Sequence, residues 1–251
     1  MGLMNWIKKK NQKEQFEPGW FAVVFNPYYF NRRAIYSGIK KHCGKLKGKL
    51  LDFGCGTKSY EHLFNVESYI GIDLEVNEGH NIPQHKVDVF YKGDKLPFDE
   101  NSFDSIYASE VFEHVFNLEE ILNDINRVHK PGGLLLITMP FVWREHEMPN
   151  DFGRYTSAGI KHIMKKCNYN IVAHEKAPGY FLSVVQLFSA YVYHAVLPKS
   201  TTWKFILSPV TIFPINLCGL FFNIFFPSNK ELFISHAISA ENLKKTKTLI
   251  Q

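Results

Sequence analysis

From Lys49 onward short apolar runs alternate with amphipathic stretches, and no other feature constrains the fold as tightly, because this is the pattern of βαβ units feeding a parallel sheet. Lys49–Phe53 (KLLDF), Tyr69–Asp73 (YIGID), Lys86–Phe90 (KVDVF) and Phe103–Ser109 (FDSIYAS) read as four strands. Leu118, Ile121, Leu122, Ile125 and Val128 then recur at helical spacing over Leu118–His129. Pro131-Gly132-Gly133 reads as the stop and turn after that helix, and the unbroken apolar run Leu134–Met139 suits a central buried strand. Thr156–Cys167 reads as a helix with Thr156 as its N-cap, and Asn170–His174 as a strand. The pattern breaks at Tyr180–Leu197 and Trp203–Pro227, both strongly apolar and aromatic, before a last strand at Glu231–Ala240. That block is therefore an expected insertion between neighbouring strands of one sheet. Ahead of Lys49 stand an aromatic cluster (Trp20, Phe21, Phe25, Tyr28, Tyr29, Phe30) and a helix over Asn31–His42. The expected division is an N-terminal aromatic and helical cap (1–48), an α/β core (49–179), a hydrophobic helical insertion (180–229) and a final strand with a tail (230–251).

A chain of 251 residues, 45% hydrophobic and 21% charged, can bury a full α/β core and is not a disordered composition. Its net charge of +5 owes much to Lys8, Lys9, Lys10 and Lys13 and to Lys40, Lys41, Lys45, Lys47 and Lys49. Such runs are ordinarily solvated faces, and with no arginine-rich helix interleaved with aromatics no nucleic-acid partner is expected. Cys43, Cys55, Cys167 and Cys218 form no CxxC pair, which argues against a zinc site or a disulfide framework and suits reduced thiols. Met1–Lys13 has no apolar run before its lysines, so no secretory signal is expected and the location expected is cytoplasmic.

Four motifs carry chemistry. Asp52-Phe53-Gly54-Cys55-Gly56 ends the first strand in a GxG turn, where bare backbone can approach a ligand. Ser59 stands where a dinucleotide fingerprint needs its third glycine, and Asp52 suits a cationic amino-acid moiety better than phosphates. By itself the loop also reads as a tight turn. Asp73 ends the second strand about 20 residues on, where a carboxylate can accept ribose hydroxyls; a surface acid reads the same way. Asp88, placed near the end of the third strand, can accept from an adenine amino group or face solvent. The fourth is the turn HKPGG, which alone is punctuation.

In order and spacing, LLDFGCGT, YIGIDL, VDVF with LPFDENSFD, SEVFEHV and HKPGGLLLI resemble the class I S-adenosylmethionine-dependent methyltransferases, particularly the small-molecule group called type 11. The resemblance runs from Lys49 to about Lys176 and implies a Rossmann-like, doubly wound α/β fold with a seven-stranded sheet and a reversed last strand. It implies S-adenosylmethionine as cofactor. Asp52, Gly54, Cys55 and Gly56 would hold the methionine part, Asp73 and Leu74 the ribose, Asp88 and Val89 the adenine edge, and Ser109 and Glu110 the face near the sulfonium.

Methyl transfer from a sulfonium is an in-line displacement at carbon, needing positioning and, for a hydroxyl acceptor, a base; no metal is expected. Ligands of open α/β sheets bind beyond the C-terminal ends of the strands, so the base should follow strand four or five. After strand four comes Glu110–His114, where His114 suits either a site role or a loop-ordering hydrogen bond. After strand five comes Arg144–Thr156, whose HExPxDFxRYT pattern resembles a methyltransferase subgroup associated with cell-surface polysaccharide or lipid gene clusters. Here His146 is the favoured base, oriented by Glu147 or Asp151, with Glu147, Arg154 and Tyr155 facing the acceptor; a plain Asp151–Arg154 salt bridge and a Thr156 cap is the alternative. Asn150 stands where an HExxH zinc signature needs its second histidine.

Phe205–Asn229 carries no charge and approaches spanning length, but Pro209, Pro214, Asn216 and Asn223 interrupt it. An interfacial cap contacting the membrane or a lipid-linked acceptor is expected, with a structural cap or homodimer face as alternatives. The expected function is O-methylation of a small-molecule, sugar or lipid-linked acceptor. Competing readings are a non-catalytic S-adenosylmethionine-binding scaffold and a nicotinamide-dependent oxidoreductase, the latter disfavoured by Ser59.

Overall fold

The computed structural model describes residues 10, 13–75, 86–227 and 229–245. Lys8 and Lys9 of the N-terminal lysine run and tail residues 246–251 lie outside the described residues.

One seven-stranded sheet has the order β3-β2-β1-β4-β5-β7-β6. The strands are β1 (Lys49–Phe53), β2 (Ser68–Leu74), β3 (Val89–Tyr91), β4 (Phe103–Ser109), β5 (His129–Pro140), β6 (Tyr169–Ala177) and β7 (Ser235–Asn242). The five from β3 to β5 pair in parallel, and the reversed strand makes the sheet mixed. Chain winding changes direction between β1 and β4, and at such a switch point the loops leaving the strands' C-terminal ends diverge and leave a crevice. Helices α3 (Leu118–Val128) and α4 (Ser157–Lys166) cover the sheet. All five stripe positions of α3 are buried, and with Ile160 and Met164 of α4 they pack on Leu51, Ile106, Leu135 and Ile137 of the central strands. Thr156 caps α4 by accepting from the Gly159 N–H at 3.1 Å.

Several element boundaries differ from the sequence reading, among them the last strand, which runs over Ser235–Asn242 and not Glu231–Ala240. Pro131-Gly132-Gly133 is no separate turn: α3 ends at Val128 and β5 begins at once with His129. The β4–β5 register slips between the Phe103–His129 and Ser105–Leu134 pairs, and Gly132 takes φ +74° in that irregularity. The third strand is also later and shorter than KVDVF: Asp88 precedes it, its N–H donating to the Gly71 carbonyl at 3.0 Å.

The chain groups into two compact units, Ile39–Glu175 with His236–Gln251, and Met1–Gly38 with Lys176–Ser235. The first carries almost the whole sheet. The second contains α1 (Trp20–Phe25), most of α2 (Tyr29–His42), α5 (Tyr180–Tyr191), which continues as a π-helical turn over Val192–Val196, and α6 (Thr201–Phe222). Its polar residues are internal ties: Gln186 donates to the Pro27 carbonyl and accepts from the Asn31 N–H, while Asn216 donates to the carbonyls of Val23 and Asn26. Strands β6 and β7 are neighbours, so the apolar helices are indeed inserted between adjacent strands.

Candidate active site

Three loops meet the switch-point edge of the sheet, after β1, β4 and β5, all within the sheet-bearing unit. Leu51, Phe53 and Asp52 of β1 are buried, and the strand ends in a turn with φ +70° at Gly54 and +49° at Gly56. A β-carbon on Gly54 would stand 2.5 Å from Val111, whereas one on Gly56 would meet only open space. Asp73, ending β2, takes the Gly56 N–H on one oxygen (2.7 Å) and the Leu74 N–H on the other (2.8 Å), so it buckles the loop to the neighbouring strand. Asp52 accepts from the Tyr69 hydroxyl at 2.6 Å. Burial pushes its carboxyl up to about 7 despite that bond. Burial likewise raises the Cys55 thiol, which leaves it un-ionised.

Asp88 directly precedes β3. Its carboxylate accepts from the Gly71 N–H at 2.6 Å and pairs with Lys58, two residues short of the level of Asp73, and Val89 behind it packs against the core. The pairing has a simple cause: a carboxylate beside an otherwise open strand N–H and a lysine is held there by both. A second acid, Asp94, follows β3. With Leu74, Tyr91, His114, Phe116 and Glu120 it lines a cavity of about 420 Å³. Nothing in the spacing of YKGDK distinguishes Asp94 from a solvent-facing turn residue.

After β4, Ser109 hydrogen-bonds Thr138 of β5 at 2.7 Å, and Glu110 takes φ +53° with its N–H on the Thr138 carbonyl. A short 3-10 turn, Phe112–His114, follows. Glu113 is fully buried, and neither of its carboxylate oxygens has a hydrogen-bond partner. Burial, reinforced by Glu110, raises its carboxyl well above the ordinary range. His114 binds the Asn150 carbonyl through Nδ1 at 2.7 Å, and its ring lies edge-on to that of His146 with centroids 5.0 Å apart. The sequence reading quoted EVFEH and assigned Glu113 no role, because its burial is a tertiary fact.

After β5 the polar loop folds on itself. Asp151 accepts both guanidinium nitrogens of Arg154, at 2.6 and 2.8 Å, and the His146 N–H at 3.0 Å. The Arg154 bonds hold its carboxyl well below the ordinary range. His146 Nδ1 lies 3.3 Å from Asp151 and 3.4 Å from Arg154 Nη2. Burial lowers the His146 pKa, and Asp151 offsets this in part, so the imidazole is neutral at neutral pH. Glu147 approaches His114 Nε2 at 3.7 Å with its carboxylate half in solvent. Tyr155 is half-buried against the core, its carbonyl receiving His236. The structure thus brings His114, His146, Glu147, Asp151 and Arg154 together, with Asp151 and Arg154 committed to each other and Tyr155 turned inward.

The family model described as a methyltransferase domain matches residues 29–174, more than half of the chain. The chain belongs to the class I S-adenosylmethionine-dependent methyltransferases. Among curated relatives of this methyltransferase, sterol 24-C-methyltransferase erg6 of Schizosaccharomyces pombe is 28% identical over 183 residues, 65% of this chain and 46% of that protein. The chain spans about half the length of the curated relatives it matches. Among solved structures, phosphoethanolamine N-methyltransferase 2 of Haemonchus contortus with S-adenosyl-L-methionine has a TM-score of 0.53 at 17% identity, covering 93% of this chain and 57% of that one. An S-adenosylmethionine-dependent methyltransferase of Mesorhizobium loti scores 0.51 at 13% identity, covering 83% and 97%. At those identities the likeness is one of fold.

S-adenosylmethionine is the methyl donor of the family, and the β1 loop fits it. Gly54 and Gly56 hold backbone conformations that strain other residues, the space over Gly56 is open, and Asp73 and Leu74 stand at the edge where a ribose would lie. When bound, the cofactor supplies a methyl group on a sulfonium. The protein must hold the acceptor in line with that methyl group.

Proposed function

We propose that this methyltransferase methylates a hydroxyl oxygen of a small-molecule, sugar or lipid-linked acceptor, with the His114–His146 pair receiving the acceptor's proton. The observation that carries the reading is the pairing itself: two imidazoles with centroids 5.0 Å apart, beyond the ends of β4 and β5. An alcohol gives up its proton reluctantly near neutral pH, and a neutral imidazole in reach is the side chain best matched to take it. Asp151 orients His146 through its backbone N–H and Nδ1, and Asp151 is itself locked by Arg154. Glu147, half in solvent beside His114, is placed to meet a sugar or other polyol.

We further place the enzyme in the cytoplasm, in contact with the membrane face through residues 180–229. Support comes from the exposed side chains of α6 and its C-terminal extension, Val210, Ile224 and Phe225 among them, each more than two-thirds exposed. Large apolar surfaces of this kind favour an interface with lipid or another protein over water.

The test is turnover with radiolabelled cofactor supplied to soluble and membrane extracts. His146→Ala should lower turnover by about 10²-fold or more while S-adenosylhomocysteine affinity is unchanged. Full activity in His146→Ala would remove the histidine base from the reading.

A further inference from the structure

We propose that Glu113, His114 and His146 bind one divalent transition cation, zinc being the best matched. Each offers a ligand atom, and the three atoms lie within 4.8 Å of one another. Two imidazoles and one carboxylate form a donor set that suits zinc, iron(II) or manganese; magnesium and calcium prefer oxygen throughout. Metal–ligand bonds of about 2.1 Å place neighbouring ligands roughly 3.4 Å apart, so closing this cluster needs side-chain movements of about 1 Å. His114 Nε2 already stands 3.8 Å from Glu113 Oε1.

The independent observation is Glu113. Its side chain is wholly buried and aimed into the cluster, and no donor satisfies either oxygen. A buried carboxylate without a donor is costly unless a cation or a proton compensates it. The surrounding bonds also orient the ligands as metal sites require. His114 Nδ1 is committed to the Asn150 carbonyl, which leaves Nε2 as a lone pair. In the tautomer that carries its proton on Nδ1, toward Asp151 at 3.3 Å, His146 presents Nε2; Arg154 Nη2, 3.4 Å from the same Nδ1, donates to Asp151. The Glu113 carbonyl takes the N–H groups of Phe152 and Gly153, tying the β4 turn to the β5 loop. The charge of Arg154, the nearest cation, is met by Asp151. Three protein ligands leave a position open toward the crevice, and Glu147, 3.7 Å from His114 Nε2, flanks it.

The inference rests on the methyl-transfer reading for its use and, where the cation is bound, replaces the histidine pair as the group that promotes deprotonation. An acceptor hydroxyl at the open position would lose its proton more readily, with Glu147 or water taking it, and His146 would serve as a ligand instead of the base.

The test is titration of the chelator-stripped full chain with Co²⁺, read by its visible absorption, followed by competition with Zn²⁺. One equivalent should bind, zinc should displace it, and His146→Ala and Glu113→Gln should each weaken binding by about tenfold or more. Both variants should keep the wild-type melting temperature and S-adenosylhomocysteine affinity, which shows that they fold. Absence of stoichiometric cobalt binding, or binding unaltered in both folded variants, overturns the site; if both variants unfold, His114→Asn replaces them under the same criteria. A wild-type chain that binds cobalt but no S-adenosylhomocysteine would overturn the methyl-transfer reading and leave the cation site standing. Turnover unaffected by chelation would restore His146 as the base.

Discussion

At Gly54 the backbone φ is +70°, and an added β-carbon would press on Val111 at 2.5 Å, so any side chain both strains the turn and displaces the β4 loop. Asp73 works from the other side, holding the Gly56 N–H and so the shape of the cradle. Gly54→Val and Asp73→Ala should therefore each abolish measurable S-adenosylmethionine binding in a calorimetric titration. Wild-type affinity in both would mean that the cofactor lies elsewhere. These positions were legible in the sequence because a GxG after a strand and an acid ending the next strand are local signals. The level of Asp88 was not legible in the same way: proximity to a strand end is local, but the register that puts it level with Gly71 is set by pairing with β2.

The start of β5 shows how an element carries a pH dependence. His129 is wholly buried, and burial lowers its pKa to about 4. The unfolded chain takes up the proton near pH 6.5 and the folded chain only near 4, so stability is full above pH 6.5 and is lost as pH falls through that window. A displacement of that size is worth about 3 kcal/mol at its lower end. Asp52 has the opposite sign: its carboxyl, raised to about 7, contributes stability below pH 4 that is lost as pH rises toward 7 and beyond. Thermal melts without cofactor should show His129→Gln flattening the acid side and Asp52→Asn the alkaline side. Parallel pH profiles for wild type and both variants would contradict the assignment. The helical stripe of α3 was readable as periodicity, whereas the HKPGG segment was misread as punctuation. A glycine pair marks a bend equally well in a loop or in a strand irregularity, and only pairing with β4 makes it the latter.

At the scale of the molecule, the unit with α5 and α6 is unusual because so much of its apolar surface faces outward. Thr201–Phe222 is long and apolar enough to cross a membrane: an 18-residue window of it has a mean hydropathy of 1.9, and only 22% of that window is buried within the protein. The buried positions include Ser208, Asn216 and Gly219. The second and third of these are contact points: Asn216 bonds α1, and a β-carbon on Gly219 would strike Phe30 at 2.8 Å. Ser208, Asn216 and Gly219 thus share the inner face with Ile212, while Phe205, Ile206, Val210, Leu217 and Phe221 point outward, an amphipathic arrangement of the kind that lies in an interface. The full chain should co-sediment with vesicles of mixed neutral and anionic phospholipid, and Phe221→Asp with Phe225→Asp should reduce the bound fraction about tenfold or more. Retention in the supernatant together with a concentration-dependent dimer would assign this face to a second copy of the chain.

The sequence by itself determined the parallel α/β core, the glycine turn after β1 and the inserted apolar helices, since period, glycine turns and strand-end acids are encoded within a few residues of one another. Tertiary structure decided what those residues could not. It set the level of Asp88, placed Asp94 at a cavity, and decided for the Asp151–Arg154 pair that the sequence had offered as an alternative. It also gathered Glu113, His114 and His146 from two loops more than thirty residues apart. Burial, register and the approach of distant loops depend on the whole sheet being assembled, and no local pattern records them.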